Sequence, residues 1–172
     1  MSEITIRRLL VATRHDYRNI RLEALQRAPE AFGSTYKLEV AWPIETFEAR
    51  LERSVVFGAY CGEEIIGMAG LARDSGPKHS HKAFLWGMYV RSEVGRRGVG
   101  AALVEAIVDH APDGVEQIAL TVVQDNKVAR ALYERLGFAV YGVEPRALKV
   151  AGRYFDEILM VKFLRAAPCG KE

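Results

Sequence analysis

Apolar and polar positions along the chain switch between two periods, and the switches divide it into elements. Residues 4–10 read as a first strand. Behind Asp16, a suitable helix cap, Tyr17, Ile20, Ala24 and Leu25 recur at helical spacing, and Pro29 stops that helix. Pro43 suits the first turn of a second helix, on which Ile44, Phe47 and Leu51 form one apolar stripe. The stretch between, AFGSTYKLEVAW, is too weakly periodic to decide between loop and irregular helix.

Past Ser54 the pattern becomes strand-like. Runs 55–61 and 65–72, on either side of Gly62, Glu63 and Glu64, predict a hairpin. After the break at Asp74, Ser75, Gly76 and Pro77, run 83–90 predicts a third antiparallel strand, apolar enough to be buried on both faces. A glycine-rich turn follows, then Val99, Leu103, Ala106 and Ile107 at helical spacing, ended by Pro112 and Gly114, and then a strand at 117–123. Such a strand, helix, strand crossover makes the two strands parallel, and ligands of such sheets favour the carboxyl ends of the strands. A helix at 126–136, stopped by Gly137, and strands at 138–143 and 154–163 complete the pattern.

A length of 172 residues suits one domain, placed at 1–165 with a tail at 166–172. Twenty-four basic against 22 acidic side chains leave +2, too little to predict a nucleic-acid or membrane partner. The distribution is more informative than the total. Residues 91–101 carry three arginines and one glutamate, so this glycine-rich turn holds a charge equal to that of the whole chain. Cys61 and Cys169 have no paired or CxxC spacing, which favours a reducing compartment. The start, MSEITIRRLL, lacks an apolar targeting core, and no apolar run approaches the roughly 18 residues of a membrane span. A cytoplasmic protein is the expectation.

The turn reads Gly95, Arg96, Arg97, Gly98, Val99, Gly100, Ala101, Ala102. Amides at a helix start, with glycines beside them, form an anion site, and a phosphate is the natural guest. A Walker A loop is disfavoured because Ala101 and Ala102 stand where its Lys and Ser/Thr belong. A dinucleotide fingerprint is disfavoured because Leu103 replaces its third glycine and the turn follows an antiparallel meander. The remaining match is the phosphate turn of acetyl-CoA-dependent N-acetyltransferases. With the segment Asn126, Ala129, Tyr133, Gly137, Phe138, which matches the pattern N-x-x-A-x-x-x-Y-x-x-x-G-F, the chain resembles the GCN5-related N-acetyltransferase (GNAT) superfamily. Gly95 stands where that family usually has Arg or Gln, and Arg96 or Arg97 is the expected substitute for the missing charge.

The resemblance implies an α/β (α+β) fold: a central mixed, mostly antiparallel sheet of six or seven strands flanked by about four helices, with splayed parallel strands forming the cofactor gap. It implies acetyl-CoA as co-substrate, held by Met88, Tyr89 and Val90, by the turn from Arg96 and Arg97 through Gly98, Val99, Gly100 and Ala101, and by Asn126. The Met88 amide is expected to polarise the thioester carbonyl. Tyr133 is expected to act as general acid toward the leaving thiolate, since a phenol of pKa about 10 stays protonated at neutral pH. The strand Phe84 to Val90 offers no general base, so a water chain ending on a loop carboxylate is the default.

His79 and His81 lack a third ligand, and no metal is expected. Glu30, Tyr36, Glu39, Tyr154 and Asp156 are the acceptor-side candidates, able to attract a cationic amine. The implied function is acetyl transfer to a primary amine by direct attack. The acceptor is expected to be a small molecule, an amino-acid-like amine, polyamine or antibiotic. Acetylation of peptide N-termini and a non-catalytic CoA sensor are the alternatives, and a homodimer is a family-level expectation.

Overall fold

A computed structural model describes residues 3–95 and 97–164. Arg96, Cys169 and the tail therefore lie outside the described residues. Seven strands form one sheet in the order β1-β2-β3-β4-β5-β7-β6. They are β1 (Ile4–Arg8), β2 (Val55–Cys61), β3 (Glu64–Arg73), β4 (Lys82–Val90), β5 (Gln117–Val123), β6 (Ala139–Val150) and β7 (Arg153–Phe163). The helices are α1 (Arg14–Arg27), α2 (Tyr36–Glu39), α3 (Ile44–Arg53), α4 (Val99–Asp109) and α5 (Lys127–Arg135). Every neighbouring pair of strands is antiparallel except β4 and β5. This is the mixed sheet the motifs imply. Among the described residues, no helix is long and apolar enough to cross a membrane.

The sheet is covered on both faces. Val99, Leu103, Val104 and Ile107 of α4, with Tyr133 of α5, pack on Phe57, Leu71, Leu85, Leu120 and Met160. On the other face Tyr17, Ile20, Leu25 and Phe47, from α1 and α3, pack on Val56, Tyr60 and Met68. Strand pleating explains the split: in β5, Ile118, Leu120 and Val122 enter the α4 side, so Ala119, Thr121 and Val123 face the other. The strands buried on both faces are β2 and β3. The same expectation for β4 is corrected, because its second half is only half-buried and borders an open gap.

That gap has a local cause. The register of β3 on β4 steps from Met68↔Tyr89 to Gly70↔Trp86, two residues against three, so β4 carries one extra residue. Gly87 absorbs it at φ 65, a backbone region open to glycine at little cost. A bulge bends its strand and increases twist. On its other edge β4 pairs with β5 only at Lys82↔Gln117, Ala83↔Ile118 and Phe84↔Ala119, and beyond Phe84 the two strands part.

The last hairpin also differs from expectation. β6 continues from Ala139 to Val150 and does not end near Val143, because Pro145 sits in a register shift between Glu144 and Leu148 on an edge strand, where its missing N–H costs no ladder bond. Arg146 takes φ 54 there, and its N–H donates to Asp156 Oδ1 at 2.7 Å.

Candidate functional site

A cleft of about 830 Å³ enters where β4 leaves β5. Met88, Tyr89 and Val90 form one wall, Gly98, Val99, Gly100 and Ala101 the floor, and Asn126, Leu132 and Tyr133 the opposite wall. Ala28, Ala31 and Phe32, which belong to the α1 side of the sheet, line it as well, so the cleft passes through the sheet. The unpaired edge of β4 faces this space. Arg91 N–H donates to Ile66 O on β3 at 2.9 Å, and alternation along an extended strand turns the Val90 N–H to the other edge, toward the gap.

The start of α4 has no side-chain cap. Its N-cap, Gly98, is left-handed at φ 75 and has no side chain to cap the helix, and the first turn carries no acidic residue. The first amides of α4 are therefore able to take an anion. Arg27, Arg91, Lys127 and Arg135 line the same cleft, and among the described residues no acidic side chain joins them. Together these features fit a phosphate-bearing cofactor. Gly98 is required for its conformation, since a Cβ there would meet nothing within 4 Å. Gly100 is required for packing, since a Cβ there would come within 3.1 Å of both Leu132 Cδ2 and Met88 Cε.

Asn126 caps α5, its Oδ1 accepting from Ala129 N–H at 3.1 Å, and it lines the cleft at the same time. Seven residues on, the same helix presents Tyr133, only 4% exposed, with its ring edge-on to Phe138 at 5.8 Å. Burial pushes the phenol well above its ordinary pKa, which keeps it a proton donor across neutral pH.

The five acceptor-side candidates separate. Glu30 lies on a 3-10 turn (Pro29–Ala31) that packs over β5 and β6 beside cleft-lining Ala31. Glu39 does not present a carboxylate to a ligand. It is fully buried, and both its oxygens accept from Arg21, at 2.8 and 3.0 Å, and from Arg50, at 3.2 and 3.4 Å. Tyr36 packs into the α1-side core rather than the cleft wall. Asp156 turns back onto Arg146 N–H. Tyr154 is half exposed on the hairpin, flanked by Arg146 and Lys149 at 5.2 and 5.1 Å.

The sequence reading missed a clamp at the end of β4. Arg91 donates to both oxygens of Glu23 on α1, at 2.9 and 2.8 Å, and also to Glu64. Tyr89 Oη donates to Glu23 at 3.1 Å, and burial with this bond raises the Tyr89 phenol to about 12. The clamp ties α1 to the strand that leads into the glycine-rich turn before α4. Only the run of charge around Arg91 hinted at it. The bulge had a clearer signal, an isolated glycine at 87 inside an apolar strand.

Residues 15–138 match the family model described as Acetyltransferase (GNAT) family. Over 168 residues, 94% of this chain and 99% of the relative, the sequence is 30% identical to L-amino acid N-acetyltransferase AaaT of Escherichia coli. Over 130 residues, 74% of this chain and 80% of the relative, it is 30% identical to N-alpha-acetyltransferase RimI of Mycobacterium tuberculosis. Its fold superposes with a TM-score of 0.80, at 20% identity and 99% coverage of each chain, on yncA, a putative acetyltransferase from Salmonella typhimurium solved with its cofactor acetyl-CoA. The chain belongs to the GNAT acetyltransferase family. It is an acyl-CoA-dependent N-acetyltransferase.

Proposed function

We propose that this enzyme moves the acetyl group of acetyl-CoA to the primary amine of a small molecule, in the cytoplasm, by direct attack within a ternary complex. The observation that carries the reading is the through-going gap between bulged β4 and β5, with an uncapped helix start at one end and the Tyr133 phenol on its wall. Met88 and Val90 pair with the pantetheine arm through their backbone, and the amides from Arg97 to Ala101 hold the pyrophosphate. Arg96 was expected to share that task and lies outside the described residues.

Asn126 contacts the arm from the head of α5, the Met88 N–H polarises the carbonyl, and Tyr133 protonates the leaving thiolate. Among the described residues no cysteine lines the cleft, which favours direct attack over an acyl-enzyme. Full-length similarity to an L-amino acid N-acetyltransferase supports a small acceptor, amino-acid-like before polyamine or antibiotic amine.

Similarity to an N-alpha-acetyltransferase supports a second reading, acetylation of a peptide N-terminus. One panel separates the two: amine-dependent thiol release from acetyl-CoA with free L-amino acids, polyamines, aminoglycosides and peptides of varied N-terminal residue. The first reading expects turnover of a free small amine well above that of any peptide. Turnover confined to peptides would replace it with the second.

A further inference from the structure

The gap still needs a group that removes a proton from the incoming ammonium, and β4 supplies none. The opposite side of the gap supplies one. Thr121 and Val123 of β5 lie beyond Phe84↔Ala119, the last pair joining β5 to β4, on the length of β5 that has no partner along that edge. Their partners on β7 are Leu159 and Glu157. Directly opposed residues of an antiparallel pair share a face. Ile158 and Met160, at the alternate positions, belong to the α4-side core, so Glu157 stands on the α1 side, from which an acceptor reaches the through-going cleft.

Its surroundings leave this carboxylate available. Glu157 makes no ion pair among the described residues, and its cross-strand partner on β6 is another carboxylate, Glu144. From β5, Thr121 presents a neutral hydroxyl to it. The 3-10 turn that packs over β5 and β6 brings only Glu30. On the same hairpin, Asp156 is bonded to Arg146 N–H, and the Arg146 guanidinium stacks on Tyr154 at 5.2 Å. Burial raises the Glu157 carboxyl above the usual range, the Thr121 contact opposes this, and Glu144 adds to it. A base raised in this way lies closer to the ammonium it must deprotonate, whose pKa is near 10.

We infer that Glu157 is the proton acceptor of the transfer, receiving the ammonium of the acceptor at the α1-side mouth of the gap and removing one proton from it. The inference rests on the N-acetyltransferase reading of the same cleft. The freed nitrogen lone pair forms the C–N bond as the C–S bond breaks, and the Tyr133 proton goes to sulfur. The second proton lost by the nitrogen restores the phenol, and Glu157 releases its own to solvent, so one proton leaves per turnover.

The test uses the intact protein with an acceptor found in the panel above, comparing wild type, Glu157→Gln and Glu144→Gln. It reads kcat/KM across pH, acetyl-CoA affinity by calorimetry and the unfolding midpoint. Glu157→Gln should lower kcat/KM by about 100-fold at neutral pH and abolish the acid limb of the profile. Its acetyl-CoA affinity should stay within about twofold, because the side chain does not line the cofactor cleft. Glu144→Gln should keep the plateau rate and move the acid limb to lower pH, since a negative neighbour has been removed.

A purely structural Glu157 would not produce that shift. An active wild type with Glu157→Gln within threefold of it, or an acid limb unmoved by Glu144→Gln, would overturn the inference and leave the acetyltransferase reading standing. A wild type that acetylates no amine would overturn both.

Discussion

Replacing Tyr133 by Phe removes one oxygen from the wall of the cleft and nothing else. The ring is 4% exposed and sits edge-on to Phe138 at 5.8 Å, so its packing survives the change. Stability should therefore change by less than about 1 kcal/mol, against roughly 3–5 kcal/mol for truncation to Ala, which would confuse chemistry with collapse of the core. A general acid contributes about 10²–10⁴ in rate, equivalent to roughly 3–5 kcal/mol of barrier. Amine-dependent thiol release should thus fall at least 100-fold in kcat, while calorimetry gives an acetyl-CoA affinity within about twofold of wild type. Because burial holds the phenol above its ordinary value, wild-type kcat should show no loss from its ionisation below pH about 10. A kcat within threefold of wild type would refute the proton-donor role.

Two further outcomes concern what holds the site. Glu39→Gln leaves Arg21, 6% exposed, without its bidentate counter-ion, and should cost about 3–5 kcal/mol, or a fall of roughly 6–20 °C in Tm. Burial alone would raise the Glu39 carboxyl, but the bonds and charges of Arg21 and Arg50 outweigh it and hold it below the usual value. Its stabilisation is therefore complete above the unfolded carboxyl pKa of about 4.3 and is lost as pH falls through the lower folded value. Wild type and variant should then converge under acid in urea titrations. Gly70→Ala places a Cβ 2.5 Å from the Trp86 ring, so the indole must move at the strand that borders the gap, and a changed tryptophan emission with a lower unfolding midpoint should report it.

The parts legible in the sequence are those written in local chemistry. β5 at Gln117–Val123 follows from an unbroken apolar run, and α5 at Lys127–Arg135 from helical spacing stopped by Gly137. What escaped was non-local or masked by a breaker. Glu39 looked like a free acceptor-side carboxylate because its partners stand 18 and 11 residues away, and the Arg91 to Glu23 pair spans 68 residues. β6 looked short because Pro145 ends most strands, and only its place on the sheet edge lets it continue. Glu157 is not legible, since nothing in the sequence shows that an FDEILM strand lays that carboxylate beside Thr121 and Glu144.

The central claim is that acetyl-CoA occupies the gap between β4 and β5 with its phosphates on the start of α4. Calorimetric titration of acetyl-CoA into wild type and Gly98→Val tests it most directly. Gly98 holds φ 75 and an added Cβ would meet nothing within 4 Å, so the chief effect of valine is to strain the left-handed backbone that aims the amides. One saturable site of about micromolar affinity is expected in wild type, weakened at least tenfold in the variant, an energy of roughly 1.4 kcal/mol or more. Equal affinity in the two proteins, or no saturable binding in wild type up to about millimolar acetyl-CoA, would contradict it.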